Sequence, residues 1–78
     1  MPIHSDKVID CIGLYCPMPV MKAREAIREM APGQVLVVLS DDPAAQSDMK
    51  SWSHRTGHSL LEITHNGAVF RFVVRKAR

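Results

Sequence analysis

Residues 14–19 of the chain read LYCPMP, a cysteine followed by two prolines that flank one residue, and a run with helical periodicity comes directly after them. Proline is favoured at the first position of a helix, because the N–H that it lacks would have no partner there. We therefore predict that Pro17 is the first helical residue and that Cys16 is the N-cap. The amide of Met18 is then the natural donor to the sulfur, since Pro19 has no N–H.

The sulfur of Cys16 would lie at the positive end of the helix dipole. That position stabilises a thiolate and lowers the pKa of the thiol, so Cys16 is the candidate nucleophile. An N-cap side chain points at the helix end, so we expect Cys16 to be exposed. The alternative is a buried cysteine that packs as a small apolar residue. Pro19 stands where a Cys-x-x-Cys motif would have its second thiol, which excludes dithiol exchange within the helix.

The first half of the chain predicts a strand, a helix and a second strand. Residues 7–12 read as a short strand that ends at Gly13, and Asp10 is expected to accept hydrogen bonds from backbone amides in the turn. The helix that follows the prolines ends at residues 31–33, which read APG. Its inward stripe consists of Val20, Ala23, Ile27, Met30 and Ala31. Val35–Leu39 is apolar throughout and predicts a strand in the middle of a sheet.

A second helix start follows this strand. We expect Asp42 to be its N-cap and Pro43 its first residue, by the same reasoning as for the first helix. Gly57 is placed to follow the last helical residue. The inward stripe of this helix consists of Ala45, Met49 and Trp52.

The end of the chain predicts a β-hairpin. Leu60–Thr64 and Val69–Arg75 are strand patterns joined through residues 65–68, whose Asn-Gly pair is a strong hairpin signal. In the last strand one face should carry Phe70, Phe72 and Val74, and the other Arg71, Val73 and Arg75. With right-handed crossovers, the order βαβαββ predicts a two-layer α/β sandwich, a four-stranded mixed sheet with both helices on one face. The basic residues Arg71, Arg75, Lys76 and Arg78 are expected on the solvated side and tail of an edge strand.

Length and composition limit the class of protein. The chain has 78 residues and a formal net charge of +2, which predicts one domain over residues 1–78 and gives no argument for direct binding to nucleic acid. Residues 1–7 contain no apolar segment of the kind that a signal peptide needs, and no segment is apolar enough to span a membrane. We therefore expect a cytoplasmic protein. The charged outer side of the first helix and the small size favour a monomer.

The second cysteine, Cys11, leaves two interpretations open. It is either an apolar residue of the first strand or a resolving thiol that expels a sulfur bound on Cys16 by forming a disulfide. Together with His54 and His58, the two cysteines give only a weak zinc pattern, because the pairs are far apart and Gly57 ends the helix between the histidines. We expect no metal, and we expect each histidine to be a surface residue.

Residues 10–19, DCIGLYCPMP, resemble the signature of the TusA family of small sulfur carriers, also called SirA-like proteins. The resemblance continues through Pro32-Gly33, through residues 41–44, which read DDPA, and through Gly57-His58 into the final strand. It implies the βαβαββ fold and a persulfide carried on Cys16. In the family a cysteine desulfurase loads this cysteine, and further carriers take the sulfur on to 2-thiouridine in tRNA. Relatives also serve molybdenum-cofactor synthesis or sulfur oxidation.

The resemblance also implies roles for residues around the cysteine. Pro17, Met18, Pro19, Asp10 and Gly13 would support the site, and Met21, Arg24, Arg28 and Asp42 would dock the desulfurase. The sequence departs from the family pattern at two positions. Cys11 stands where many relatives have another residue, and Met18 replaces an acidic residue of the members that thiolate tRNA. Without that carboxylate beside the sulfur, we expect Cys16 to ionise more readily.

The sequence therefore predicts a sulfurtransferase of the carrier type. Cys16 would accept a persulfide sulfur from a cysteine desulfurase or a rhodanese-type donor and pass it to an acceptor protein of the relay. This chain would need no metal or organic cofactor. Two alternatives are a non-catalytic regulatory or interaction module, and a thiol redox protein that uses Cys11 and Cys16.

Overall fold

The computed structural model describes residues 5–78, and within them the chain folds as the predicted two-layer βαβαββ sandwich. The elements are β1 (Lys7–Asp10), α1 (Met18–Arg28), β2 (Val35–Ser40), α2 (Ala45–Thr56), β3 (Ser59–Asn66) and β4 (Val69–Arg75). Residues 1–4, the first part of the segment on which the expectation of no signal peptide rests, lie outside the described residues. Neither helix between residues 5 and 78 is long and apolar enough to cross a membrane.

The four strands have the order β1-β2-β4-β3, with β1 parallel to β2 and the other pairs antiparallel. The apolar strand β2 is central, as its composition predicts, and Val38 pairs with Ile9 on one side and Phe72 on the other. The expectation that the last strand lies at an edge is wrong, because β4 pairs with both β2 and β3. The edges of the sheet are β1 and β3.

Of the four basic residues at the end of the chain, Arg75 and Arg78 are exposed as expected, whereas Arg71 and Lys76 are half-buried. Arg71 is half-buried and its guanidinium lies 3.9 Å from the Glu62 carboxylate on the neighbouring strand. The Lys76 ammonium donates a 2.5 Å hydrogen bond to the carbonyl of Met30 at the end of α1. Lys76 therefore ties the C-terminal segment to the first helix.

The core lies between the helices and one face of the sheet. Its buried side chains are Cys11, Ala23, Ala26, Ile27, Met30, Leu36, Val38, Ala45, Met49, Trp52, Phe72 and Val74. The predicted stripe of α2 is confirmed in full. In α1 the prediction needs two changes, since Ala26 is buried and Ala31 is exposed beyond the end of the helix. On the opposite face of the sheet, Val37 and Val73 pair at the centre and are both buried.

The start of α2 and the position of the hairpin loop differ from the predictions. Helix α2 begins at Ala45 with Ala44 as its N-cap, so Asp42 is not the N-cap, although its Oδ1 accepts a 3.0 Å hydrogen bond from the Ala44 amide. The hairpin loop consists of Gly67 and Ala68, one residue later than the Asn-Gly pair. Gly67 has φ +61°, and a two-residue loop with glycine at its first position requires such a conformation.

His58 is half-buried at the end of α2, so the expectation of a surface histidine is wrong for this residue. Its Nδ1 accepts a 3.0 Å hydrogen bond from the Ala77 amide, and its ring centre lies 5.5 Å from that of Trp52. Burial lowers the pKa of His58 below its usual value, and the charges of Lys76 and Arg78 lower it further. The native structure therefore favours the neutral ring.

We predict from this contact that the protein loses stability as the pH falls through the pKa of an unfolded histidine, about 6.5. The unfolded chain binds the proton more readily than the folded chain, so the stabilisation by neutral His58 is complete above that pH and declines below it. His58→Asn keeps an acceptor near Nδ1 but does not titrate. Urea unfolding between pH 7.5 and 5 should show a smaller loss of stability for this variant than for the wild type, and equal losses would contradict the prediction.

Candidate functional site

Cys16 lies in the connection between β1 and α1, and it is an exposed free thiol, as predicted. The connection leaves the sheet after Asp10 and enters the helix at Met18. Three of its neighbours are large apolar side chains that are open to solvent: Tyr15 is 74%, Ile12 45% and Met18 37% exposed. The thiol is therefore accessible, in a part of the chain where large apolar side chains are exposed as well.

The predicted capping by Cys16 is wrong. Helix α1 begins at Met18, its N-cap is Pro17, and the Cys16–Pro17 peptide bond is cis. The amide of Met18 donates a 2.8 Å hydrogen bond to the carbonyl of Tyr15 and not to the sulfur. Pro19 occupies the second helical position and is buried. A backbone hydrogen bond therefore closes the first turn of the helix. Cys16 precedes the N-cap by one residue, whereas the sequence predicted it to be the N-cap.

Carboxylates that follow the two parallel strands hold the connection in place. Asp10 Oδ1 accepts a 2.9 Å hydrogen bond from the Ile12 amide, as expected for a turn. Asp41 Oδ1 accepts one from the Gly13 amide at 2.9 Å. Because β1 and β2 run parallel, their carboxyl ends meet at one edge of the sheet and bring these groups together.

Asp42 holds the cysteine itself. Its Oδ2 accepts a 2.5 Å hydrogen bond from the Cys16 amide, while Oδ1 accepts the Ala44 amide described above. The side chain is buried, with 7% of the residue exposed. The resemblance implied that Asp42 is a docking residue, but its carboxylate already binds two amides of its own chain. We therefore assign Asp42 to the positioning of Cys16.

Gly13 supports the same connection through its backbone. It has φ +87°, in the left-handed region that L-residues with a Cβ rarely adopt. Its amide is the one that Asp41 accepts. Substitution by a larger residue would strain the turn that carries Cys16.

A small pocket of about 190 Å³ opens beside the sulfur. Its lining residues from α1 and the segment before it are Cys16, Pro17 and Val20. Its lining residues from α2 are Asp48, Ser51 and Arg55. The three α2 residues are spaced by three and four positions, so they share one face of that helix. Nothing in the sequence marked these three residues as part of the site, since their spacing becomes meaningful only once the two helices are known to pack side by side.

The Cys16 thiol has a pKa above its ordinary value, which corrects the prediction of a lowered pKa. The largest cause is a hydrogen bond with the Asp48 side chain, followed by partial desolvation and by the negative charges of Asp48 and Asp42. Each of these effects favours the neutral thiol. Although position 18 is not acidic, Asp48 of α2 and Asp42 in the segment before α2 bring negative charge to the sulfur, which the sequence did not predict.

Cys11 has a different environment. Its side chain is 1% exposed within the core, and its amide donates a 2.8 Å hydrogen bond to the Leu39 carbonyl. Burial raises the pKa of its thiol, and the charge of Asp10 raises it further. Both cysteines lie within the described residues and both are free thiols. This placement favours the packing interpretation of Cys11 over the resolving thiol.

The remaining docking candidates lie on the outer side of α1. Met21 is 48% exposed, and Arg24 and Arg28 are exposed one and two turns along the same helix. The two arginines also line a cleft between the helices together with Arg55, which borders the Cys16 pocket as well. A basic surface thus extends from the cysteine along the helices. Between residues 5 and 78 no three histidine, cysteine or acidic side chains are grouped as a metal site would require.

Comparison with known proteins agrees with the fold and identifies the family. Residues 7–76 match the family model described as sulfurtransferase TusA. A Bacillus subtilis protein named "Putative sulfur carrier protein YrkI" is 43% identical over 74 residues, which cover 95% of this chain and 99% of that protein. The sulfur carrier protein TusA of Allochromatium vinosum is 35% identical over 72 residues, covering 92% and 95% of the two chains.

A solved structure shows the same fold. The crystal structure of a SirA-like protein from Desulfitobacterium hafniense superposes with a TM-score of 0.81 at 24% sequence identity, covering 92% of this chain and 99% of that one. The family match spans nearly all of the described residues and includes the exposed cysteine and both prolines. The chain belongs to the TusA family of sulfurtransferases, the SirA-like sulfur carriers.

Proposed function

We propose that Cys16 carries a persulfide, and that the protein takes this sulfur from a donor protein and passes it to an acceptor protein. The observation that supports the proposal most directly is the exposed thiol beside a pocket of about 190 Å³, which has room for an additional sulfur atom. The same connection is fixed by carboxylate hydrogen bonds to the amides of Gly13 and Cys16. A nucleophile held in this way loses little conformational freedom when a partner docks.

Loading is a thiol exchange that transfers one neutral sulfur atom. The Cys16 thiolate attacks the outer sulfur of the donor persulfide, a new S–S bond forms on Cys16, and the electron pair of the broken bond leaves on the donor sulfur as a thiolate. Unloading repeats the step with an acceptor thiolate as the nucleophile. No external oxidant or reductant takes part, so the chain needs no metal or organic cofactor for this chemistry.

The donor is a cysteine desulfurase or a rhodanese-type protein in this proposal. The exposed side chains of Met18, Met21 and Tyr15 offer an apolar contact around the sulfur, and Arg24 and Arg28 attract an acidic partner surface. The acceptor is a further relay protein, either in 2-thiouridine synthesis or in another sulfur-transfer pathway. The relay would operate in the cytoplasm, with this chain as a monomer.

The proposal is tested by mass spectrometry after incubation of the protein with a cysteine desulfurase and cysteine. We expect a gain of one sulfur atom that a reductant removes, and peptide mapping should place it on the peptide that contains Cys16. A sample without cysteine controls for sulfur introduced during purification. No gain with either a desulfurase or a rhodanese as the donor would contradict the proposal.

A further inference from the structure

Asp48 is the acidic side chain that borders the Cys16 pocket, and the proposed function does not yet use it. It lies in the first turn of α2, half-buried, and its amide donates a 3.1 Å hydrogen bond to the Ala44 carbonyl. The N-terminus of α2 is itself anchored by Asp42, whose other carboxylate oxygen binds the Cys16 amide. The position of Asp48 relative to the sulfur is therefore set by the fold.

Three charged side chains either line the Cys16 pocket or shift the pKa of the thiol. All three belong to α2 or to the segment directly before it. Asp48 and Asp42 are negative, and both raise the pKa of the thiol. Arg55 is positive and lines the same pocket. From α1 and its approach the pocket receives only Pro17 and Val20 in addition to the cysteine. A sulfur added to Cys16 would therefore enter a space that contains one carboxylate and one guanidinium.

The protonation of that outer sulfur decides how a persulfide reacts. As an anion the outer sulfur is a nucleophile and repels an incoming thiolate. With a proton bound it is neutral, and a thiolate can attack it. A nearby carboxylate favours the neutral form, because it accepts a hydrogen bond from S–H and opposes a second negative charge.

We propose that Asp48 holds the outer sulfur of a Cys16 persulfide in its protonated form, so that this sulfur leaves the carrier as an electrophile. This inference rests on the proposed persulfide function and assigns to Asp48 a catalytic role in unloading. This role also gives a reason for the two carboxylates near the sulfur, Asp42 and Asp48, although both disfavour the free Cys16 thiolate.

The unloading step balances in atoms and electrons. The acceptor thiolate attacks the outer sulfur of Cys16–S–S–H, the acceptor S–S bond forms, and the bond between the two sulfurs on the carrier breaks. The electron pair of that bond stays on Cys16 as a thiolate, and the proton remains on the transferred sulfur. The Cys16 thiolate then takes a proton from solvent, because the nearby carboxylates of Asp48 and Asp42 favour the neutral thiol.

Asp48→Asn tests the proposal, because it keeps the shape of the side chain and removes the charge. The persulfide is made without a donor protein, by converting Cys16 to a mixed disulfide with an aromatic thiol and displacing that thiol with sulfide. Mass spectrometry confirms loading before each assay. Two reactions then report on the outer sulfur: attack by cyanide, which forms thiocyanate and measures its electrophilicity, and alkylation by iodoacetamide, which measures its nucleophilicity.

We expect Asp48→Asn to change the two rates in opposite directions at neutral pH. Alkylation should be faster, by up to about tenfold for each pH unit by which the carboxylate raises the pKa of the outer sulfur, and attack by cyanide should be slower. The pH midpoint of alkylation should also move to lower pH. Loss of structure alone would not separate the two reactions in this way.

Glu25→Gln is the matched control, since Glu25 is an exposed carboxylate on α1 outside the Cys16 pocket, and both rates should stay at wild-type values. Faster attack by cyanide in Asp48→Asn would overturn the proposal, because it would mean that the carboxylate only repels the nucleophile. Unchanged rates would overturn it as well. Either result would leave the uptake of sulfur from a donor protein intact as a separate finding.

Discussion

Cys16→Ser is expected to abolish sulfur uptake completely, whereas Cys11→Ala should retain it. A hydroxyl group cannot hold a transferable sulfur, and Cys16 is the exposed thiol of the two. Cys11 is 1% exposed in the core, so its removal affects packing and not the transfer. After incubation with the desulfurase and cysteine, the intact mass should show a gain of one sulfur in Cys11→Ala and none in Cys16→Ser.

The same pair of variants separates the alternatives. A regulatory module would keep its full cellular activity in Cys16→Ser. A redox protein would form an intramolecular disulfide between Cys11 and Cys16, seen as the loss of two hydrogens in the wild type and its absence from both variants. Sulfur uptake that persists in Cys16→Ser would rule out the carrier function as we propose it.

Phe72→Ala should produce the largest loss of stability among single core substitutions. Phe72 is fully buried in the central strand β4, where it pairs with Val38 and Ile63, and its ring stacks on Phe70 with centres 6.0 Å apart. Truncation of a buried phenylalanine typically costs about 3–5 kcal/mol. A domain of this length has about 4–12 kcal/mol in total at typical values per residue. Urea denaturation should therefore find an unfolding midpoint for the variant far below that of the wild type.

Tyr15→Ala is the control for this measurement. It removes an aromatic ring of similar size, but Tyr15 is 74% exposed beside the cysteine. Surface substitutions of this kind usually change stability by less than about 0.5 kcal/mol. A similar loss in both variants would mean that the core does not depend on Phe72 in the way that its packing indicates.

Local patterns were sufficient to predict the architecture, because apolar periodicity records which face of an element is buried. Ala45, Met49 and Trp52 recur at helical spacing and all three are buried in α2. The apolar run of β2 predicted a central strand for the same reason. The boundary errors, such as the start of α2 at Ala45 in place of Pro43, reflect turns that the chain closes with its own backbone and with Asp42.

The position of β4 could not be predicted from its charged residues. Alternating arginines suggested an edge strand, but β4 pairs on both sides, and Arg71 lies next to Glu62 of β3. A period of two records only the two faces of a strand and carries no information on its two edges. Strand order depends instead on how the crossovers place successive strands.

The cysteine motif by itself predicted an exposed thiol directly before a helix, and Cys16 lies there in the structure. The tertiary structure alone decided how that sulfur ionises. Asp42 and Asp48 are distant from Cys16 in sequence, and they reach it only because parallel pairing of β1 with β2 brings the starts of both helices to one edge of the sheet. Electrostatic effects act through space, so the charges that matter to a thiol are those that the fold brings near it.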